Sequence, residues 1–167
     1  MYLWQQTLLS APYLDIHGTD LEMRLAAQAL IRPLEVAHLV TFGAPGPRSR
    51  NPFPIQVANF LAERLTWGGL NYIAERPHPY DRWQSPRLTL RRSGGDCEDL
   101  AILGVSMLRR GGVRAWLAVG ALWQGGAPGG HAWIEGLWGD EFFLIEATSG
   151  QLFTSRPRGY ALEAWLG

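Results

Sequence analysis

The chain has 167 residues, enough for one sizeable core, and its 47% hydrophobic and 18% charged content describes a globular protein rather than a disordered one. Fifteen basic residues balance fifteen acidic ones, so a net charge of zero argues against a nucleic-acid binder. Every basic residue is Arg, which excludes Schiff-base and P-loop lysines, and the single cysteine excludes an internal disulfide and a cysteine-rich zinc site.

The first 20 residues have neither a basic start nor a clean apolar run, so no signal peptide is expected. No stretch approaches the roughly 18 apolar residues of a membrane span, and a cytoplasmic location follows as an expectation. Thr19-Asp20-Leu21-Glu22 fits a capping box that opens a helix, with Leu21, Leu25, Ala29 and Leu30 as its apolar face and Pro33 closing it. Leu34–Phe42 is ambiguous between a short helix and a strand. Gly43–Pro54, with four prolines and two glycines, reads as a loop or surface arm. Pro54 then suits a first helical turn, followed by Ile55, Ala58, Leu61, Ala62 and Leu65 at helical spacing and a stop at Gly68-Gly69.

Residues 70–96 read as mostly irregular. A second strong helix is expected from about Asp96 to Arg110, with Leu100, Leu103, Met107 and Leu108 inward and Gly111-Gly112 ending it. Beyond it the pattern turns to strands: Val113–Trp123, then a glycine-rich loop over Gly125–Gly130, then His131–Trp138 and Glu141–Thr148 around a Gly139-Asp140 hairpin turn of type II′. The tail, Gln151–Gly167, reads as one further strand and a short helix. Helices followed by an antiparallel sheet make an α+β protein. The tryptophans at 116, 123, 133, 138 and 165 read as core and hairpin packing, with Trp133 also a candidate wall of a substrate cleft.

Cys97 lies where a glycine turn enters the second helix. With Asp96 as N-cap it takes the first helical position, where the helix dipole favours thiolate and unpaired backbone N–H groups can hold an oxyanion. Asp96, Glu98 and Asp99 oppose thiolate formation. The alternative for such a residue is a buried structural cysteine. A two- or four-residue turn centred on Gly139-Asp140 pairs residue i with residue 279 − i, so Trp133 faces Glu146 and His131 becomes a diagonal neighbour of Glu146, within reach of its carboxylate. Glu146 sits in an apolar run, where a charge needs a partner. Glu135 shares the face of His131 by alternation and is the alternative acid. A metal site made from Cys97, His131 and a carboxylate matches no common zinc ligand set.

Asp81-Arg82-Trp83-Gln84-Ser85-Pro86, Leu88-Thr89-Leu90, Gly95-Asp96-Cys97-Glu98-Asp99-Leu100-Ala101, His131-Ala132-Trp133-Ile134-Glu135 and Leu144-Ile145-Glu146-Ala147-Thr148 together resemble the bacterial transglutaminase-like cysteine proteinases, within the transglutaminase-like superfamily and its papain-like core. The resemblance spans about residues 80–150 of a single domain over 1–167, with residues 1–79 as a helical N-terminal part. It implies a triad of Cys97, His131 and Glu146, the last standing where the family usually has Asp. It implies acyl transfer on protein or peptide amides through a thioester, with the Cys97 N–H and a side-chain donor from Gln84 or Trp83 in the oxyanion hole. Water as acceptor gives a peptidase or amidase; an amine gives a protein-glutamine transglutaminase; a non-catalytic interaction module of the same fold is the alternative from a different class. No cofactor is expected. Some of the family bind calcium beside the cysteine, which makes Asp96 and Glu98 the candidates for such an ion.

Overall fold

The computed structural model describes residues 9–40, 52–75 and 79–167. The arm expected over Gly43–Pro54 lies mostly outside them, as does the start of the chain. In chain order the elements are β1 (Tyr13–Ile16), α1 (Asp20–Leu30), a 3-10 turn (Pro33–Val36), α2 (Phe53–Trp67), β2 (Asn71–Tyr72), β3 (Asp81–Gln84), α3 (Pro86–Arg92), β4 (Gly94–Gly95) and α4 (Cys97–Arg110). The strands β5 (Arg114–Gln124), β6 (Ala127–Trp138), β7 (Glu141–Glu146), β8 (Gln151–Phe153) and β9 (Tyr160–Leu166) follow.

The capping box forms as expected: the Thr19 side chain accepts from the Glu22 N–H, and the Glu22 carboxylate accepts from the Thr19 backbone N–H. The buried face of α1 differs from the expected one. Ala26, Ala27, Ala29 and Leu30 face the core, while Leu21 and Leu25 are exposed. Alanines lose no rotamer freedom on burial and allow a close approach of the helix, so they outcompete the leucine stripe beside them. In α2 the buried face is Phe53, Pro54, Val57, Ala58 and Leu61, with Ile55 turned outward. The segment 70–96, expected to be irregular, holds a seven-residue helix: Ser85 caps the Leu88 N–H and Pro86 takes the first turn, where its missing N–H costs nothing.

Helix α4 spans the expected residues, and its burial runs from Asp99 to Leu108 without a polar face. It packs on β5 and β6 on one side and on α2, α3 and the 3-10 turn on the others. A helix enclosed on all sides is read as core whatever its periodicity.

The five-stranded antiparallel sheet has the order β8-β7-β6-β5-β9. The Gly139-Asp140 turn sets the expected register, with Trp138 opposite Glu141 and Ile134 opposite Ile145. Gly139 has φ 63° and Asp140 stays at negative φ, the pairing of signs that a type II′ turn requires. Strand β6 begins at Ala127, so most of the expected Gly125–Gly130 loop belongs to a long hairpin turning at Gly125-Gly126. The tail forms two strands and no helix. Strand β9 pairs with β5 through a bulge at Val119/Gly120: Val119 faces Ala164 but Gly120 faces Leu162, leaving Glu163 unpaired.

One sheet face joins the main core with α4. The other carries a second cluster of Ala118, Trp133 and Leu144, with Phe142, Phe153, Tyr160 and Leu162 against it. Edge strands β8 and β9 would lie roughly 19 Å apart in a flat sheet. Instead the rings of Phe153 and Tyr160, one from each edge, have centroids 6.4 Å apart. The sheet is therefore curled, with this second cluster on its concave face. Of the tryptophans expected inside, Trp123 and Trp165 are about half exposed.

The turn after β7 docks on α2 through Gly150, whose φ is 73° and whose absent Cβ would sit 2.4 Å from the Ala62 nitrogen and 2.5 Å from the Ala58 oxygen. Gly150→Ala is expected to lower stability by about 2–4 kcal/mol through combined strain and overpacking, measured by urea denaturation.

Candidate active site

Cys97 is delivered to the head of α4 by β4, whose Gly94 and Gly95 pair in parallel with Asn71 and Tyr72. Asp96 caps the helix by accepting from the Asp99 N–H. The thiol is 7% exposed, donates to Glu98 Oε2 at 3.1 Å, and meets the backbone N–H of Ala132, the residue after His131. Burial pushes the thiol well above its ordinary pKa; Glu98 and Asp96 push the same way, and the Ala132 N–H pulls back. The resting sulfur is protonated.

His131 and Glu146 meet on the concave face. The imidazole Nε2 lies 2.7 Å from Glu146 Oε2, and both side chains are largely shielded from solvent. The same Oε2 accepts from the Tyr160 hydroxyl at 2.7 Å, while Oε1 accepts from the Thr148 N–H at 3.0 Å and its hydroxyl at 2.7 Å. Burial alone would raise the Glu146 carboxyl; the bonds from His131, Thr148 and Tyr160 outweigh it and hold the group below the usual carboxylate range. Tyr160, half-buried and facing that charge, is pushed up and stays protonated. Neither Thr148 nor Tyr160 stands out in the sequence as a site residue. Thr148 carries a local signal, a hydroxyl two residues after an acid at a strand end. Tyr160 carries none, because its placement depends on the bulge.

The remaining candidates lie elsewhere. Trp83 is buried and its Nε1 donates to Asp81 Oδ2 at 2.8 Å. The Gln84 amide donates to Asp99 Oδ2, its backbone N–H donates to Asp99 Oδ1 at 2.7 Å, and its Oε1 accepts from Arg92. Of the two upstream oxyanion candidates, Trp83 thus spends its one indole N–H on Asp81, and Gln84 spends one of its two amide protons on Asp99. The Cys97 N–H remains in the helix's first turn, where no intrahelical acceptor exists. Trp133 is fully buried, which corrects its expected place on a cleft wall. Glu135, the alternative acid, is bound by Arg156, Trp133 and Trp165 rather than by His131.

Of the two calcium candidates, Asp96 joins Glu75 and Asp81, with carboxylate oxygens within 4.8 Å of one another. Glu98 is not part of that group and turns to the Cys97 thiol. Three hard oxygens make half of a six-oxygen calcium shell. Next to them a cavity of about 350 Å³ is lined by Glu75, Arg82, Gln84, Gly95 and Asp99, among others.

A cysteine heading a buried helix, packed on an antiparallel sheet that bears a histidine and an acid on adjacent strands, is a transglutaminase-like fold. The sequence model of the transglutaminase-like superfamily core matches residues 50–147, more than half of the chain, and the protein belongs to that superfamily. No curated protein matches it. Among solved structures it is similar to a proposed cysteine protease from Cytophaga hutchinsonii, at 18% identity and a TM-score of 0.54, over 71% of this chain and 38% of that one. The chain therefore spans well under half the length of that neighbour. EGTA-treated LapG from Legionella pneumophila matches at 17% identity and a TM-score of 0.45, over 89% of this chain and 70% of that one. Among the described residues no helix is long and apolar enough to cross a membrane.

The buried acids near Cys97 give stability a defined pH dependence. Burial, then the charge of Asp96, pushes Asp99 from 3.8 up to about 8. Between those values the folded state keeps a proton that the unfolded chain has released, so stability falls as pH rises through that window. Glu146 acts in the opposite sense: its contribution is present above its unfolded value and is lost as pH falls through its lowered folded one. Urea midpoints are expected to be lower at pH 8 than at pH 5, and Asp99→Asn, which mimics the protonated acid, should flatten that slope.

Proposed function

We propose that the protein is a thiol-dependent enzyme acting on peptide or protein amides, with Cys97 as nucleophile, His131 as general base and acid, and Glu146 as the group that orients the imidazole. The reading rests on one observation above others. His131 commits Nε2 to a buried anionic carboxylate while the Cys97 sulfur rests on the amide of the next residue along the same strand. Nδ1 of His131 has no hydrogen-bond partner among the described residues and is the nitrogen left to exchange a proton with the thiol.

In the proposed sequence His131 takes the thiol proton, and the sulfur forms a bond to the amide carbonyl carbon. The oxyanion draws on the Cys97 N–H. Collapse breaks the C–N bond, His131 gives its proton to the departing amine, and a thioester remains. Water, deprotonated by the same imidazole, then releases the acid and restores the thiol. Glu146 steadies the imidazolium in both halves, a role that asks it to stay ionised while buried, as its four bonds ensure. Hydrolysis is favoured over transfer to an amine because a thioester reached by solvent meets water first.

A second reading, a binding module that keeps the fold without the chemistry, is supported by the thiol's bond to Glu98. The two readings separate by experiment. Cleavage of a peptide-amide library is expected to vanish in Cys97→Ala and His131→Ala and to fall by at least about 100-fold in Glu146→Gln. Cleavage that survives Cys97→Ala would sink the enzyme reading. Iodoacetamide labelling of Cys97 should be slow below pH 7 and faster in Glu98→Ala, which removes the acceptor that holds the thiol proton.

A further inference from the structure

The concave face holds a second buried carboxylate that the proposed chemistry does not use. Glu135 is 1% exposed. Its Oε1 accepts from Trp133 Nε1 at 2.8 Å and from Arg156 Nε at 2.6 Å. Its Oε2 accepts from Arg156 Nη2 at 2.7 Å and from Trp165 Nε1 at 2.8 Å. Two parallel bonds from one guanidinium make a fork-to-fork pair, the most directional arrangement open to a carboxylate. Arg156 comes from the connection between β8 and β9 and is itself partly exposed, so the charge is compensated from the rim of the curled sheet.

The indole held by this carboxylate lies directly behind the candidate active site. The ring of Trp133 stacks on His131, with centroids 6.1 Å apart and planes at 25°, and meets Tyr160 edge-on at 5.1 Å and 77°. His131 and Tyr160 are the two side chains bound to Glu146 Oε2. One aromatic plane thus backs both partners of the orienting acid. The bond from Nε1 to Glu135 adds a directional restraint to the packing around this buried ring, fixing which edge of the indole faces the carboxylate.

We infer that Glu135 and Arg156 are positioning residues for the reaction proposed above: through Trp133 they fix the plane of the His131 imidazole. The inference rests on that functional reading for its kinetic consequence and on the geometry alone for its structural one. Its test reads both. Arg156→Met removes the fork from a partly exposed position, Arg156→Lys keeps the charge without the fork, and Trp165→Phe removes one donor from a half-exposed ring. In histidine labelled with nitrogen-15, the proton shared between His131 and Glu146 reports the imidazole orientation without any need for activity.

Arg156→Met is expected to shift and broaden that resonance, to lower kcat about 10-fold with little change in KM, and to move the acid limb of the pH–rate profile. The Arg156→Lys and Trp165→Phe proteins should lie between Arg156→Met and wild type on the same scale. An Arg156→Met protein with wild-type resonance and kcat, whether or not its melting temperature falls, would overturn the inference and leave the pair a stabilising one only. If wild-type protein has no Cys97-dependent activity, the functional proposal fails by itself, and the resonance alone decides whether the clamp positions the ring.

Discussion

A charged carboxylate buried in an apolar run has to find enough donors, and the concave half of this fold is arranged around that requirement. Glu146 takes hydrogen bonds from three separate places: an imidazole on β6, a turn that immediately follows its own strand, and a phenol on the far edge of the sheet. Left unpaired, such a group would shed its charge or unfold its surroundings. With four donors it stays anionic, and its charge is what gives the neighbouring histidine a fixed tautomer. Sheet curl, hairpin register and strand pairing all serve this one satisfied acid.

The acids on the other side of β6 have a different fate. Asp96, Glu98 and Asp99 cluster at the head of α4, where burial and mutual repulsion raise their pKa values. The carboxylates of the concave face, Glu135 and Glu146, are lowered by their donors. One strand thus separates a proton-holding region from a charge-holding one. The sulfur belongs to the first and the imidazole to the second, so the proton transfer of the proposed reaction would start from an environment that favours keeping the proton. That gradient sets the resting state of the thiol, and it is a property of burial more than of sequence spacing.

Much of this was legible where the determinants are local. The type II′ turn at Gly139-Asp140 fixes the pairing of β6 with β7 and with it the meeting of His131 and Glu146, because a two-residue turn admits one register. Gly94-Gly95-Asp96 marks the start of α4 for equally local reasons. Residues 70–96 misled in the other direction: read as mostly irregular, they include a helix that Ser85 caps and Pro86 opens. What stayed hidden depends on distant chain. The Arg156 partner of Glu135 arrives from 21 residues away, and the amide of Gln84 is taken by an acid 15 residues downstream. Leu21 and Leu25 looked like a core face, but the shape of the surface that α1 meets decided for alanines.

The irregularity between β5 and β9 carries a consequence for how variants of this chain behave. Trp165 lies opposite Ala118 on the concave side, and an unbroken ladder continued from that pair would oppose Tyr160 to Trp123 and point the phenol at the helical layer. The spare residue Glu163 inverts the parity, so that Tyr160 faces Glu146 instead. Removing Glu163 would leave Leu162 opposite Gly120 and Tyr160 opposite Leu122 in a regular ladder, whereas pairing Glu163 into the ladder at unchanged chain length would exchange the two sides of everything upstream in that strand. The side chain lost from the carboxylate would be one that no substitution had touched.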